Sequence, residues 1–322
     1  MNTCLRVLRV FFIAALQFCI FSAETSFSQT DPIRLSDGTI IQCSIPQKTF
    51  AVSATSIKAW IEANACAIRS FYGRFPVKKL QLILRPVANS NEISYGQAMP
   101  GNTPQITIYV GTNAPMSEFK DSWVLAHEMT HLGFPTLERN YHWLEEGMAT
   151  YVEPIARVKT GLLPELDFWE EFYEKAPSAF QIDSKANTGL NGVRDFRRVY
   201  WGGAVFCLLA DIEIRQKTNG KHSFQSALKH IFERHGSFNE DRDALEILRS
   251  ADKFLGFQVL EPLFVKMGST SFEPNLEKLW SDLGIAQKGN TIEFKNEAPL
   301  AHIRQAICSP KTSACSVFFE KK

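Results

Sequence analysis

The run His127-Glu128-Met129-Thr130-His131 restricts the fold of this chain most strongly, because its residue types are useful together only on a helix. Residues four apart lie on one face of an α-helix, about one turn apart. Two imidazoles placed in this way reach one Zn²⁺ at roughly 2.0–2.1 Å each. Glu128 lies about 100° around the helix from His127, so it faces a water on the metal without being a ligand. The run therefore predicts a helix that carries a metal site.

The residues before this run decide between a metal site and a chance match. In a chain of 322 residues with 7 histidines, such a run arises by chance in roughly one sequence of a hundred. The alternative interpretation is a polar helix face with two surface histidines. Residues 122–126 (SWVLA) are mostly apolar, which indicates that the helix is buried and favours the metal site.

Two further motifs follow along the chain. Residues 143–151 read W-L-E-E-G-M-A-T-Y, and residues 200–204 read Y-W-G-G-A ahead of an apolar helix. The order H-E-x-x-H, W-L-x-E-G-x-A-x-Y and Y-x-x-G-A resembles the gluzincin zinc peptidases, in particular the aminopeptidase-N and glycyl-aminopeptidase families. The resemblance spans about residues 96–248. It implies an α+β fold, namely a thermolysin-like zincin catalytic domain.

The resemblance also implies the metal ligands. His127, His131 and Glu146 correspond to the residues that hold one Zn²⁺ per chain. Two histidines and one glutamate leave a fourth position open for water, which is typical of a catalytic zinc. Glu145 takes the variable position of the motif and is not a predicted ligand. The link from His131 to Glu146 is shorter than is usual in aminopeptidase-N relatives, which predicts a trimmed loop over residues 132–142.

Four other roles follow from the resemblance. Glu128 corresponds to the catalytic base. Tyr200 corresponds to the hydrogen-bond donor that stabilises the oxyanion; the alternative for Tyr200 is an aromatic residue that caps a helix. Glu153, two helical turns after the third ligand, corresponds to an acid that orients a ligand histidine; the alternative is a surface glutamate. A substrate-binding edge strand is expected at residues 95–99. Its predicted substrate contacts are Gly96, Gln97 and Ala98. The glutamate that binds a free N-terminal amine in aminopeptidases is missing, so aminopeptidase activity is not inferred.

Apolar periodicity predicts a mixed α/β front half and a helical back half. Four regions are expected: a signal peptide (1–23), an α/β lobe with the two metal-binding helices (24–160), a helical lobe (161–290) and a tail of short strands with a disulfide loop (291–322). In the front half we predict a helix over 54–71, strands over 79–87 and 105–110, a loop over 88–104, a helix capped by Ser117 or Asp121 that runs to Leu132, and a helix over 143–157. The predicted back-half helices are 167–173, 200–217, 223–234, 241–248, 255–266 and 275–283.

The N-terminal segment is typical of a secretory signal. Arg6 and Arg9 precede an apolar stretch of about a dozen residues, 10–21, and small or polar residues follow. Cleavage after Ala23 is expected; cleavage near Ser28, a lipid-modified Cys19 and an uncleaved anchor are the alternatives. The stretch is short for a membrane span of about 20 residues. We therefore expect an exported protein that is periplasmic, extracellular or in the cell envelope, with no stable span after cleavage.

Export would place the remaining cysteines in an oxidising compartment, which favours disulfides. Cys308 and Cys315 flank a short turn-rich segment and are the predicted pair. Cys43 and Cys66 form a candidate second pair, and Cys207, in an apolar helical run, is a predicted buried thiol. Sequence alone does not determine the connectivity.

Composition narrows the functional class. The formal net charge is +1, so no basic surface favours nucleic acid as a partner. We interpret the chain as a secreted zinc-dependent peptidase that acts on a peptide or protein through a metal-activated water. A non-catalytic envelope binding protein of the same fold and a zinc hydrolase of a non-peptide amide are the alternatives, and the intact Glu128 disfavours the first. The oligomeric state is left open.

Overall fold

A mixed β-sheet organises the front half of the chain. The protein is described by a computed structural model, which covers residues 27–29, 31–46, 48–180, 189–309 and 315. The strands are β1 (Phe27–Gln29), β2 (Ile33–Arg34), β3 (Ile40–Pro46), β4 (Lys79–Val87), β5 (Ile93–Met99) and β6 (Gln105–Gly111). Their order is β1-β3-β4-β6-β5, with β2 paired to β3. Strands β3, β4 and β6 are parallel to one another, and β5 is antiparallel to β6. Because β5 is the last strand in this order, it forms one edge of the described sheet.

Alternating apolar residues explain how the sheet meets its helices. Leu80, Leu82 and Leu84 of β4 are fully buried, and Ile106 and Ile108 of β6 continue the same layer. Helix α1 (Ala54–Tyr72) begins after the N-cap Ser53 and ends at Gly73, whose φ of 90° suits a residue without a Cβ. The predictions for the helix over 54–71 and for the strands over 79–87 and 105–110 are confirmed.

Two predictions in the front half are wrong. Residues 88–104 contain the strand β5 rather than a continuous loop, because hydrogen bonds to β6 order a segment whose polar, glycine-containing sequence predicts a turn. The single metal-site helix is divided into α2 (Met116–Asp121) and α3 (Val124–His131). Ser122 has an extended backbone (φ −63°, ψ 127°) and interrupts the helix, so neither Ser117 nor Asp121 caps α3.

The back half is helical, as predicted. A π-helical turn (Arg198–Gly202) leads directly into α6. The helices are α4 (His142–Lys159), α5 (Glu165–Lys175), α6 (Gly203–Thr218), α7 (Phe224–His235), α8 (Ala244–Leu255), α9 (Leu260–Ser269), α10 (Leu276–Leu283) and α11 (Ala301–Cys308), with a hairpin of β7 (Ile285–Lys288) and β8 (Thr291–Phe294) before α11. The tail was expected to form short strands, and β8 is one of them. Helix α11 forms after it because Ala301, Arg304 and Cys308 share one buried helical face.

The disulfide prediction is also wrong. Cys66 of α1 is bonded to Cys315, across 249 residues, with a Cα–Cα distance of 5.7 Å. Cys308 is the last residue of α11, and its thiol is buried in the hydrophobic core. The thiol is therefore not bonded to Cys315, although the two residues are close in sequence. Cys43 is a buried thiol, which excludes the predicted second pair, and Cys207 is a buried thiol as predicted.

Among the described residues no helix is both long and apolar enough to cross a membrane. The predicted signal peptide, residues 1–23, lies outside the described residues.

Loss of the Cys66–Cys315 bond should destabilise the protein strongly. A cross-link over so long a loop restricts the unfolded chain more than a short one, and removing it should cost about 3–5 kcal/mol. Cys315→Ser should therefore lower the thermal midpoint by roughly 10 °C, measured by circular dichroism. Reductant should shift the wild type equally and leave Cys315→Ser unchanged. A non-reduced digest that yields a Cys308–Cys315 peptide would contradict this pairing.

Candidate metal centre

Helices α3 and α4 bring three potential ligand atoms together. The Nε2 atom of His127 lies 3.1 Å from Oε2 of Glu146, and Nε2 of His131 lies 3.6 Å from the same oxygen. The two Nε2 atoms are 3.3 Å apart. Tetrahedral zinc with bonds of 2.0–2.2 Å holds its ligand atoms about 3.3 Å apart. The triangle of donor atoms therefore has the size that one zinc ion requires.

The charges of these groups are strongly coupled. Burial alone would lower the pKa of His131, but the carboxylates of Glu146 and Glu128 outweigh it and raise that pKa to about 9. Burial also works against ionisation of Glu146, yet the two histidines hold its pKa well below the usual value. A buried carboxylate stabilised by two imidazoles is a donor set suited to a divalent cation.

Two glycines explain why α4 and α6 approach so closely. A Cβ built on Gly147 would lie 2.2 Å from the Cα of Gly203, and one on Gly203 would lie 2.1 Å from the carbonyl oxygen of Trp143. No side chain fits between the two backbones. These glycines belong to the W-L-E-E-G and Y-W-G-G-A motifs, and their contact sets the Tyr200 turn against the helix that carries Glu146.

Tyr200 lies in the π-helical turn before α6, beside the ligand histidines. Its ring stacks on His127, with centroids 5.7 Å apart and planes 11° apart. Phe196 stacks on Tyr200 with centroids 4.0 Å apart. Burial first, and then the carboxylates of Glu146 and Glu128, raise the pKa of Tyr200 well above its usual value. The phenol therefore stays protonated and faces the acidic groups of the site as a donor.

The edge strand β5 packs over Glu128. A Cβ on Gly96 would lie 2.6 Å from Cγ and 2.9 Å from Oε1 of this glutamate, so a side chain there would have to displace Glu128. Glu128 is almost fully buried beneath the strand. Of the two other predicted contacts, Ala98 is half-buried and Gln97 is exposed. The strand predicted to bind substrate thus lies directly beside the predicted base.

Glu153 is buried rather than on the surface, so the surface-glutamate alternative is wrong. Its carboxylate accepts a hydrogen bond from Arg157 at 2.8 Å. Arg157 also donates to the carbonyl oxygen of Lys120, at the end of α2. Burial raises the pKa of Glu153, and both Arg157 and His127 oppose that rise. The hydrogen-bond partner of Glu153 is therefore Arg157, not a ligand histidine.

His142 and Glu145 also belong to the site, although the sequence interpretation gave neither a role. Oε1 of Glu145 accepts a hydrogen bond from the Leu137 N–H at 3.0 Å, which fixes the short link between the two metal helices. Nδ1 of His142 lies 3.4 Å from Oε2 of Glu145, and its Nε2 lies 3.4 Å from Oε1 of Glu146. The hydrogen bond with Glu145 raises the pKa of His142. His142 lies four residues before Glu146 on the same face of α4, and this spacing is the sequence signal that could have identified His142.

The fold of the chain is similar to that of solved structures from an aminopeptidase N family protein and an M1 zinc metallopeptidase. An aminopeptidase N family protein from Idiomarina loihiensis matches with a TM-score of 0.61 and 13% identity, over 80% of this chain and 49% of that chain. An M1 zinc metallopeptidase from Deinococcus radiodurans matches with a TM-score of 0.51 and 16% identity, over 77% of this chain and 52% of that one. The chain thus covers about half the length of these structures. Its sequence matches no protein-family model and no curated protein. The likeness predicted from the motifs is confirmed at the level of the fold.

Proposed function

We propose that this chain is a zinc-dependent peptidase built as a thermolysin-like zincin. The observation that carries the proposal is the meeting of the three ligand atoms, within 4.8 Å of one another, from two helices that are separate in sequence. Glu128 projects from the same helix as His127 and His131 and is not part of the triangle. Tyr200 stacks on His127 from the π-helical turn before α6. Together these groups supply the ligands, base and oxyanion donor that peptide hydrolysis needs.

Each group has a separate task in the reaction. Zinc, when bound, supplies a water whose pKa is lowered to about 7 and polarises a carbonyl oxygen. The Glu128 carboxylate accepts a proton from the attacking water and passes it to the leaving amine. The Tyr200 hydroxyl donates to the oxygen on which negative charge develops. Burial beneath β5 keeps Glu128 in one place, so it is already oriented for the proton transfer.

The edge strand supports a peptide or protein as substrate. Among the residues that the structure describes, β5 pairs with β6 on one side and has no strand on the other. An extended peptide can add to such an edge through main-chain hydrogen bonds. We propose that Gly96, Gln97 and Ala98 provide this edge. The disulfide supports a second part of the proposal, export to an oxidising compartment. The signal proposed for residues 1–23 would direct that export.

Zinc content and peptide cleavage test the proposal together. The wild-type protein, loaded and then dialysed, should hold one zinc ion per chain by elemental mass spectrometry. His127→Ala, His131→Ala and Glu146→Ala should each retain much less, because two remaining ligands bind zinc weakly. Zinc-loaded wild type should cleave members of a random peptide library, and chelation should stop the cleavage until zinc is returned.

Glu145→Ala is the matched control for the third ligand. Glu145 precedes Glu146 directly, but its carboxylate is bonded to the Leu137 N–H, so saturating zinc should still fill the site once per chain. Loss of bound zinc equal to that of Glu146→Ala would assign the third ligand to Glu145 instead. A fully zinc-loaded protein that cleaves no library member would overturn the peptidase proposal.

A further inference from the structure

We propose that His142, held by Glu145, positions the third metal ligand, Glu146. The inference rests on one part of the proposed function, namely that His127, His131 and Glu146 are the zinc ligands. It assigns His142 a positioning role that none of the sequence motifs contains.

A continuous series of contacts joins the short link to the ligand carboxylate. The Leu137 N–H donates to one oxygen of Glu145, whose other oxygen meets Nδ1 of His142 at 3.4 Å. Nε2 of His142 then lies 3.4 Å from Oε1 of Glu146. The remaining oxygen of Glu146, Oε2, faces the two ligand histidines. Oε1 of the ligand carboxylate therefore faces His142 and Oε2 faces the two ligand histidines, while the Tyr200 hydroxyl also hydrogen-bonds to this carboxylate.

This division of the two oxygens determines how Glu146 can bind a metal. A glutamate side chain with one free oxygen can rotate, or offer both oxygens to the ion. Contact with the His142 ring at Oε1 holds that oxygen away from the ligand histidines and leaves Oε2 directed at them. Groups that hold the ligands of a metal site in this way typically change metal affinity or activity by 10–100-fold when removed.

The exposure of His142 argues against a purely structural role. Its side chain is 53% exposed, and it is the first residue of α4, beside the link. Ion pairs at such exposed positions contribute little to stability. Its removal should therefore change metal binding much more than folding, which makes the two roles separable by experiment.

The test is a zinc titration of the metal-free full-length chain, in competition with a chelator of known affinity. His142→Ala should raise the zinc dissociation constant by about 10-fold or more. His142→Gln should recover most of the affinity, because its amide N–H reaches the place of Nε2. His302→Ala, at an exposed histidine of α11, is the matched control and should bind zinc as the wild type does. Thermal unfolding of the metal-free variants checks that all of them fold.

A double-mutant cycle tests the contribution of Glu145. Glu145→Gln should weaken zinc binding by a smaller factor and add little to His142→Ala, because it acts through His142. Wild-type affinity in His142→Ala, or a loss in His142→Gln as large as in His142→Ala, would overturn the positioning role. Failure of the wild type to bind zinc would instead overturn the proposed function, so the two failures are distinguishable.

Discussion

Glu128→Gln should reduce peptide hydrolysis by about 10²–10⁴-fold, the range expected for loss of a general base. Glutamine has the same size, so it still fits beneath Gly96, where the Cγ of residue 128 is in close contact with β5. It cannot accept a proton from the attacking water. Zinc content and the thermal midpoint should stay near wild-type values, because residue 128 is not one of the three convergent ligands.

Single-turnover cleavage of a substrate from the peptide library, at saturating zinc, measures this loss directly. Glu174→Gln is a matched control, because Glu174 is on the surface with its side chain 71% exposed. This variant should cleave the peptide at the wild-type rate. A Glu128→Gln variant as fast as the wild type would show that Glu128 is not the general base. It would leave the metal ligands and the peptidase proposal in place and require another group to accept the proton.

The parts of the site that were predictable are those whose signal is local. His127 and His131 are four residues apart, so a single helix was enough to bring them together. The strand over 79–87 was predictable for a similar reason, because Leu80, Leu82 and Leu84 alternate with more exposed residues. Local periodicity is also what predicted a helical back half.

The errors concern contacts that the local composition does not indicate. β5 is flanked by Asn, Ser, Gly and Pro residues, which favour a loop, and it is its pairing with β6 that orders it as a strand. Cys66 and Cys315 meet across the fold, whereas sequence separation favoured the pair at the end of the chain. His142 was missed because its role depends on where Glu145 is bonded, and that bond is to the link before α4.

Tyr200→Phe should lower the turnover number by about 10²–10³-fold, the cost of removing one oxyanion donor. KM should change little, because the hydrogen bond forms mainly in the transition state. Phenylalanine keeps the ring that stacks on His127 and Phe196, so the shape of the site is retained. Steady-state kinetics on one defined peptide separates the two parameters.

Tyr95 is the alternative donor, and its variant decides the assignment. It lies on β5, the strand that packs over Glu128, with its side chain 55% exposed. Partial burial and the charge of the Glu128 carboxylate raise its pKa, so its phenol is also a protonated donor. Slow turnover in Tyr200→Phe with normal turnover in Tyr95→Phe would support the proposed role. The reverse result would transfer the oxyanion role to the edge strand while leaving the metal chemistry unchanged. Tyr200 is packed between His127 and Phe196, whereas Tyr95 is largely exposed and contacts Tyr109 at the sheet edge. We therefore expect Tyr200 to be the preorganised donor.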